Sequence, residues 1–310
     1  EETETMKCFR KICALLLCCS MLFVFGACGK ENTSKESKDN MTGQTEKIKG
    51  KAHVIILAGQ SNAAGMSNME SLKRLTSADQ YTKYEKGYEN IQIYYFVDRQ
   101  NQSYEFVPVA LGQGSTDKRF GPEVGIAAYL SEKYPEEKFY ILKAAMGGSS
   151  LSVNWQDSSD IYQDMIKAMD NGFSELVKKN LEPEWFATCW MQGETDSVDE
   201  TAAKQYYTYE ADLMKRLQKR FRQYASPKGV SVIDAGISTF TGWPFRDAIN
   251  GAKKQFAAEN PMNFYFDTDN LTYDQDNDDY CHYDAVPMIE LGRTFGEKIQ
   301  QAAILQGYVK

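Results

Sequence analysis

Histidine is nearly absent from this sequence: 310 residues contain two, His53 and His282. That excludes a histidine-rich zinc site and leaves few imidazoles to serve as a general base. A basic excess is also missing. Lys and Arg number 35 against 43 Asp and Glu, a formal net charge of −8, so the chain lacks the cations needed to neutralise phosphates and nucleic acid is excluded as a partner. Cysteine is scarce where it bears on the fold: of seven, five (Cys8, Cys13, Cys18, Cys19, Cys28) precede residue 29, leaving Cys189 and Cys281. Those two suit one disulfide or two buried thiols equally well. What remains, 42% hydrophobic and 25% charged residues, is globular composition and excludes collagen-like, disordered and polytopic membrane classes.

The start of the chain reads as a processing signal. Lys7, Arg10 and Lys11 precede an apolar run, Ile12 to Phe25, that is short for a membrane span and ends in Phe25-Gly26-Ala27-Cys28. The pattern is similar to the lipobox of bacterial lipoproteins, which implies lipidation of Cys28 and a membrane anchor. A plain secretory peptide cleaved nearby is the alternative, and both imply export. Residues 29–51, rich in Lys, Glu, Ser, Thr and Asn, bury too little to order themselves and read as a polar tether. The expected organisation is a signal segment over 1–28, a tether over 29–51 and one domain over 52–310.

Within that domain, short apolar runs alternate with amphipathic stretches. Strands are predicted at His53–Ala58, Ile91–Val97, Lys138–Ala144, Trp185–Met191, Val230–Ile237 and Asn263–Asp267. Helices are predicted at Pro122–Lys133, Ile161–Lys179, Glu200–Tyr224, Pro244–Glu259 and Ala285–Leu305. Ile161, Met165, Ile166, Met169, Phe173 and Leu176 trace one apolar helical face. Val54-Ile55-Ile56-Leu57 is continuously apolar, as in a strand covered on both sides. Alternating strands and helices predict an α/β fold with a mainly parallel sheet, and ligands in such sheets bind beyond the carboxyl ends of the strands.

Four clusters fall there. Gly59-Gln60-Ser61-Asn62 follows the first strand, where Ser61 suits either an exposed nucleophile or a helix cap. Gly147-Gly148 follows another strand and can present unobstructed N–H groups. Gln192-Gly193-Glu194-Thr195-Asp196 ends a third, offering an amide and two carboxylates. Before the last helix stand Asp279 and His282, whose three-residue spacing brings both side chains to one side of a turn, as a base and its orienting acid require. Asp274, Asp276 and Asp278 suggest calcium, but Asp279 stands where a calcium loop has glycine and the terminal Glu is missing. His53, at the start of the first strand, reads as structural.

Together, these four clusters in this order, with Phe120-Gly121-Pro122-Glu123 ahead of a helix, resemble the SGNH hydrolases. Within them the chain resembles the sialate O-acetylesterase domain group, which includes the acetylxylan esterases of carbohydrate esterase family six. The resemblance implies a three-layer α/β/α, flavodoxin-like fold and removal of acetyl groups from oligo- or polysaccharides, of acetylxylan or sialate type. It implies Ser61 as nucleophile, His282 as base and Asp279 as the acid, with Glu194 the alternative acid. The implied oxyanion donors are the N–H of Ser61, the N–H of Gly148 and the amide of Gln192. No metal or organic cofactor is implied. Trp155, in a polar segment after the glycine turn, is the expected sugar-stacking residue. A non-catalytic carbohydrate-binding lipoprotein and a lipase or thioesterase of the same superfamily are the competing readings.

Overall fold

The computed structural model describes residues 50–274 and 279–309, the side chains of 274–280 excepted. The signal segment, Cys28, most of the tether, Asp276 and Asp278 lie outside the described residues. Twelve strands are described: β1 Gly50–Gly59, β2 Ser67–Asn68, β3 Tyr88–Val97, β4 Asn101–Gln102, β5 Val107–Val109, β6 Arg119–Phe120, β7 Phe139–Ala145, β8 Leu181–Met191, β9 Ser231–Ala235, β10 Phe264–Phe266, β11 Tyr273–Asp274 and β12 Asp279–Tyr283. The helices are α1 Ser61–Ala64, α2 Met69–Leu75, α3 Ala78–Lys86, α4 Pro122–Lys133, α5 Asp160–Lys178, α6 Glu200–Arg220, α7 Arg246–Ala258 and α8 Ala285–Gln306.

The central sheet runs β10-β9-β8-β1-β7-β3-β4, with β5 also on β3. Its six long-range partners from β10 to β3 are parallel, and only the short β4 and β5 are antiparallel. Taking β1, β7, β8, β9 and β10 as one to five, the order is the doubly wound 2-1-3-4-5, with β3 added outside β7. The chain reverses direction at β1, so a crevice opens where the carboxyl ends of β1, β7 and β8 meet.

The alternation of β1 explains the layers. Ile55 and Leu57 pack into one core with α4 and α8, while Val54 and Ile56 pack into the other with α5 and α6. All four are fully buried, each contributing about 1.5–3 kcal/mol, and a strand so covered needs no polar face. Local signals set the helix ends. Pro122 opens α4 behind Gly121, the Ser159 hydroxyl caps α5, and α8 runs from an Asp284 cap to Gly307 at φ +71°.

Two expectations are corrected. Residues 279–283 form a strand paired antiparallel with β11, not a turn, so the one-sided spacing argument for Asp279 and His282 does not apply to this segment. Cys189 is a free, buried thiol and does not pair with Cys281. The short α2, α3, β2 and β6 carry no periodicity long enough to be read from sequence.

Candidate active site

The crevice begins at Gly59, where β1 passes so close to β8 that a Cβ would lie 1.9 Å from the Met191 carbonyl oxygen. Gln60 N–H donates to that same oxygen at 2.9 Å. Ser61 is the first residue of α1, and the position before it belongs to Gln60, so Ser61 is not the helix cap. It lies at the mouth of the crevice, 8% exposed. Gly147 sits against it: a Cβ added there would be 3.8 Å from Ser61 Cβ. Gly148 follows at φ +67°, backbone that glycine adopts without strain. Among the described residues, the N–H groups of Ser61 and Gly148 have no acceptor, as expected for the first turn of a helix and for a glycine turn.

The residues around them tie the loops together. Gln60 Oε1 accepts from Gly193 N–H at 3.4 Å, Thr195 N–H at 3.2 Å and Gln192 Nε2 at 3.2 Å. Gln192 Nε2 also donates to Asp196 Oδ2 at 2.6 Å and to the Ser149 carbonyl at 3.0 Å. Its Oε1 accepts from Tyr206 Oη at 2.8 Å. With acceptors on one side and a donor on the other, this fully buried amide is held in one orientation and has no proton left for a substrate oxygen. Gln192 is therefore a brace in this structure, which corrects its expected place among the oxyanion donors. Asp196 completes the brace, accepting from Leu151 N–H at 2.8 Å and Ser152 N–H at 3.1 Å.

Asn62 does the same for the strand that carries His282. Its Nδ2 donates to Glu194 Oε1 at 2.8 Å, and its Oδ1 accepts from Tyr283 N–H at 3.3 Å. The Tyr283 carbonyl accepts from Ser67 Oγ at 2.8 Å, and its hydroxyl donates to Thr268 at 2.7 Å. Tyr283 is fully buried, so its neighbour His282 is carried on an anchored residue. Burial raises the Glu194 carboxyl, against the Asn62 amide, Lys253 and His282, which favour its ionised form. Glu194 Oε2 has no hydrogen-bond partner among the described residues. Asp98, at the carboxyl end of β3, accepts from Gly147 N–H at 2.6 Å. Burial raises its carboxyl too, opposed first by that N–H and then by Lys143 and His282.

A family profile described as carbohydrate esterase, sialic acid-specific acetylesterase matches residues 51–301. The chain belongs to that family. It is thus a carbohydrate acetylesterase, a carboxylic ester hydrolase. No curated protein matches the chain. Solved structures similar to it include a protein from Arabidopsis thaliana (17% identity, TM-score 0.58, covering 81% of this chain and 98% of that one). NanS is similar at 15% identity and TM-score 0.59, covering 81% and 97%. A carbohydrate acetylesterase from Xanthomonas citri is similar at 13% identity and TM-score 0.55, where the match covers 81% of this chain and 57% of that one. At these identities the likeness is one of fold: a mainly parallel sheet between helices.

The esterase thus gathers Ser61, Gly148, Glu194 and His282 at one end of its sheet. The side chain of Asp279 lies outside the described residues. Trp155 is fully buried, its Nε1 donating to Ser149 Oγ at 2.9 Å and its ring edge-on to Trp190 at 5.0 Å. It is a core residue, which corrects its expected role as a sugar platform. His53 is packed at the amino end of the sheet against Tyr308, with ring centroids 4.6 Å apart. Sequence reasoning missed Asp98: a lone aspartate after a strand carries no motif, and its partner Gly147 is 49 residues away.

Proposed function

We propose that this esterase removes O-acetyl groups from glycans through an acetyl-enzyme on Ser61. The observation that carries the reading is that Ser61 stands at the reversal point of the sheet, with its own N–H and that of Gly148 uncommitted beside it. His282 takes the Ser61 proton as the hydroxyl attacks the acetyl carbonyl, and passes it to the departing sugar oxygen. Water then enters by the same route and releases acetate. The two N–H groups hold the oxyanion, and each such donor is worth roughly 10²–10³ in kcat. Asp279 is the acid we assign to His282, with Glu194, held by Asn62, the alternative. A sialate-type acetylated glycan is the substrate class that the family description supports.

Ser61→Ala and His282→Ala are expected to abolish acetate release from 4-nitrophenyl acetate and from O-acetylated sialic acid, with unfolding midpoints near wild type. Turnover surviving in either variant would remove the assignment. Acetylated xylan hydrolysed in preference to the sialate ester would move the substrate class. A chain-length series on acyl esters excludes the lipase reading when rates collapse beyond acetyl. We further infer that the domain is exported and anchored through lipid on Cys28. Loss of membrane association in Cys28→Ala is the expected result, and retention would overturn it.

A further inference from the structure

The Gly147-Gly148 pair has more backbone freedom than any other dipeptide, whereas an oxyanion donor stabilises charge only if it is already in place. Something must hold the turn. β3 ends in a two-residue turn, Asp98-Arg99, with φ of +52° and +57°, closed by Gln100 N–H on the Val97 carbonyl at 3.0 Å. This is a type I′ geometry, which favours glycine in its second place. Keeping Arg99 there costs about 1–2 kcal/mol, and Arg99 is held by Asp164 of α5 at 2.5 Å. Two bonds pin the turn to the end of β7: Asp98 N–H donates to the Ala145 carbonyl at 3.1 Å, and its carboxylate accepts from Gly147 N–H at 2.6 Å. An otherwise costly turn is thus kept at the site and points a buried carboxylate at the glycine pair.

We propose that Asp98 is a positioning residue of this esterase: its carboxylate locks the Gly147-Gly148 turn so that the Gly148 N–H is presented to the oxyanion, and its charge supports the imidazolium formed at His282. The proposal rests on the serine reading above. The charged groups around Asp98 are Lys143 on β7, neutralised by Glu123 of α4, and His282 on β12. Glu194, beyond β8, is the second carboxylate within electrostatic reach of His282. Arg99 is engaged by Asp164.

The test is the pH dependence of 4-nitrophenyl acetate hydrolysis by wild type, Asp98→Asn, Asp98→Ala and Ser61→Ala. Asp98→Ala frees the turn, and kcat is expected to fall roughly 10- to 100-fold, as a misplaced catalytic group costs elsewhere, with KM within about twofold. Asp98→Asn keeps an oxygen for Gly147 N–H and is expected to recover most of kcat. Loss of the negative charge makes the imidazolium easier to deprotonate, so the acidic limb of kcat/KM moves down by roughly 0.5–1 pH unit in both variants. Wild-type kcat in Asp98→Ala overturns the proposal. So does a fall in kcat that tracks a fall in unfolding midpoint, is not recovered in Asp98→Asn and leaves the acidic limb unmoved. Activity surviving in Ser61→Ala sinks the serine reading instead, whereas a dead Ser61→Ala beside an unaffected Asp98→Ala sinks only the role of Asp98.

Discussion

Lys143 and Lys253 are both fully buried, one on each side of the catalytic loops, and their surroundings differ in a way that decides how each responds to change. Lys143 donates to Glu123 Oε2 at 2.7 Å and to the Gln113 carbonyl at 2.8 Å, while Glu123 Oε1 accepts from Gly121 N–H at 2.8 Å. One cation meets one carboxylate, and each carboxylate oxygen has a donor. Lys253 meets Asp234 Oδ1 at 2.5 Å and lies 5.4 Å from the Tyr206 ring centre. Beside them stands a second carboxyl, Glu210. Asp234 Oδ2 and both Glu210 oxygens have no hydrogen-bond partner among the described residues. Burial raises both carboxyls, Glu210 well above its ordinary value, because two buried carboxylates cannot both be ionised beside one ammonium. The first cluster is a closed lock; the second retains a proton and one spare acid.

The comparison is tested most severely at Glu123. Glu123→Ala leaves Lys143 charged and buried with no counter-ion, and is expected to cost about 3–5 kcal/mol in urea unfolding. Asp234→Asn removes the matching partner of Lys253, yet Glu210 is there to ionise in its place, so a loss of only about 1–3 kcal/mol is expected. Equal losses at the two sites would break the contrast. Trp155→Phe forfeits one buried hydrogen bond, about 1 kcal/mol, and leaves KM for an acetylated sugar unchanged; a raised KM would restore Trp155 as a sugar contact.

The smallest effect is at Glu210, and its sign changes the pH profile. Because the folded carboxyl sits above its ordinary 4.5, the unfolded chain ionises first as pH rises. The stability tied to the bound proton is therefore complete below about pH 4.5 and is lost as pH climbs toward the folded value. Glu210→Gln has no such slope. It is expected to match wild type within about 1 kcal/mol at low pH and to gain on it between about pH 5 and pH 8. A difference that stays flat over that range would show that Glu210 is ionised in the fold.

What could be read from the chain was what neighbours in sequence decide. The apolar run Val54–Leu57 announced a strand covered on both faces, and α4 spans the predicted Pro122–Lys133 because proline, cap and apolar face all lie within it. The loops holding Ser61, Gly148, Gln192 and His282 were legible because each abuts a strand end or the last helix. Their surroundings were not. That Gln192 spends its amide on Asp196, Ser149 and Gln60, that Trp155 is sealed against Trp190, and that residues 279–283 pair as a strand are outcomes of packing between distant segments. Asp98 shows the division most plainly: its turn is local, but its meaning comes from a glycine 49 residues on. Periodicity and capping act within one or two helical turns and are written into the sequence. Which buried donor meets which acceptor is settled only when the sheet brings its strand ends together, since an unpaired polar group in that interior costs more than the chain can leave unmet.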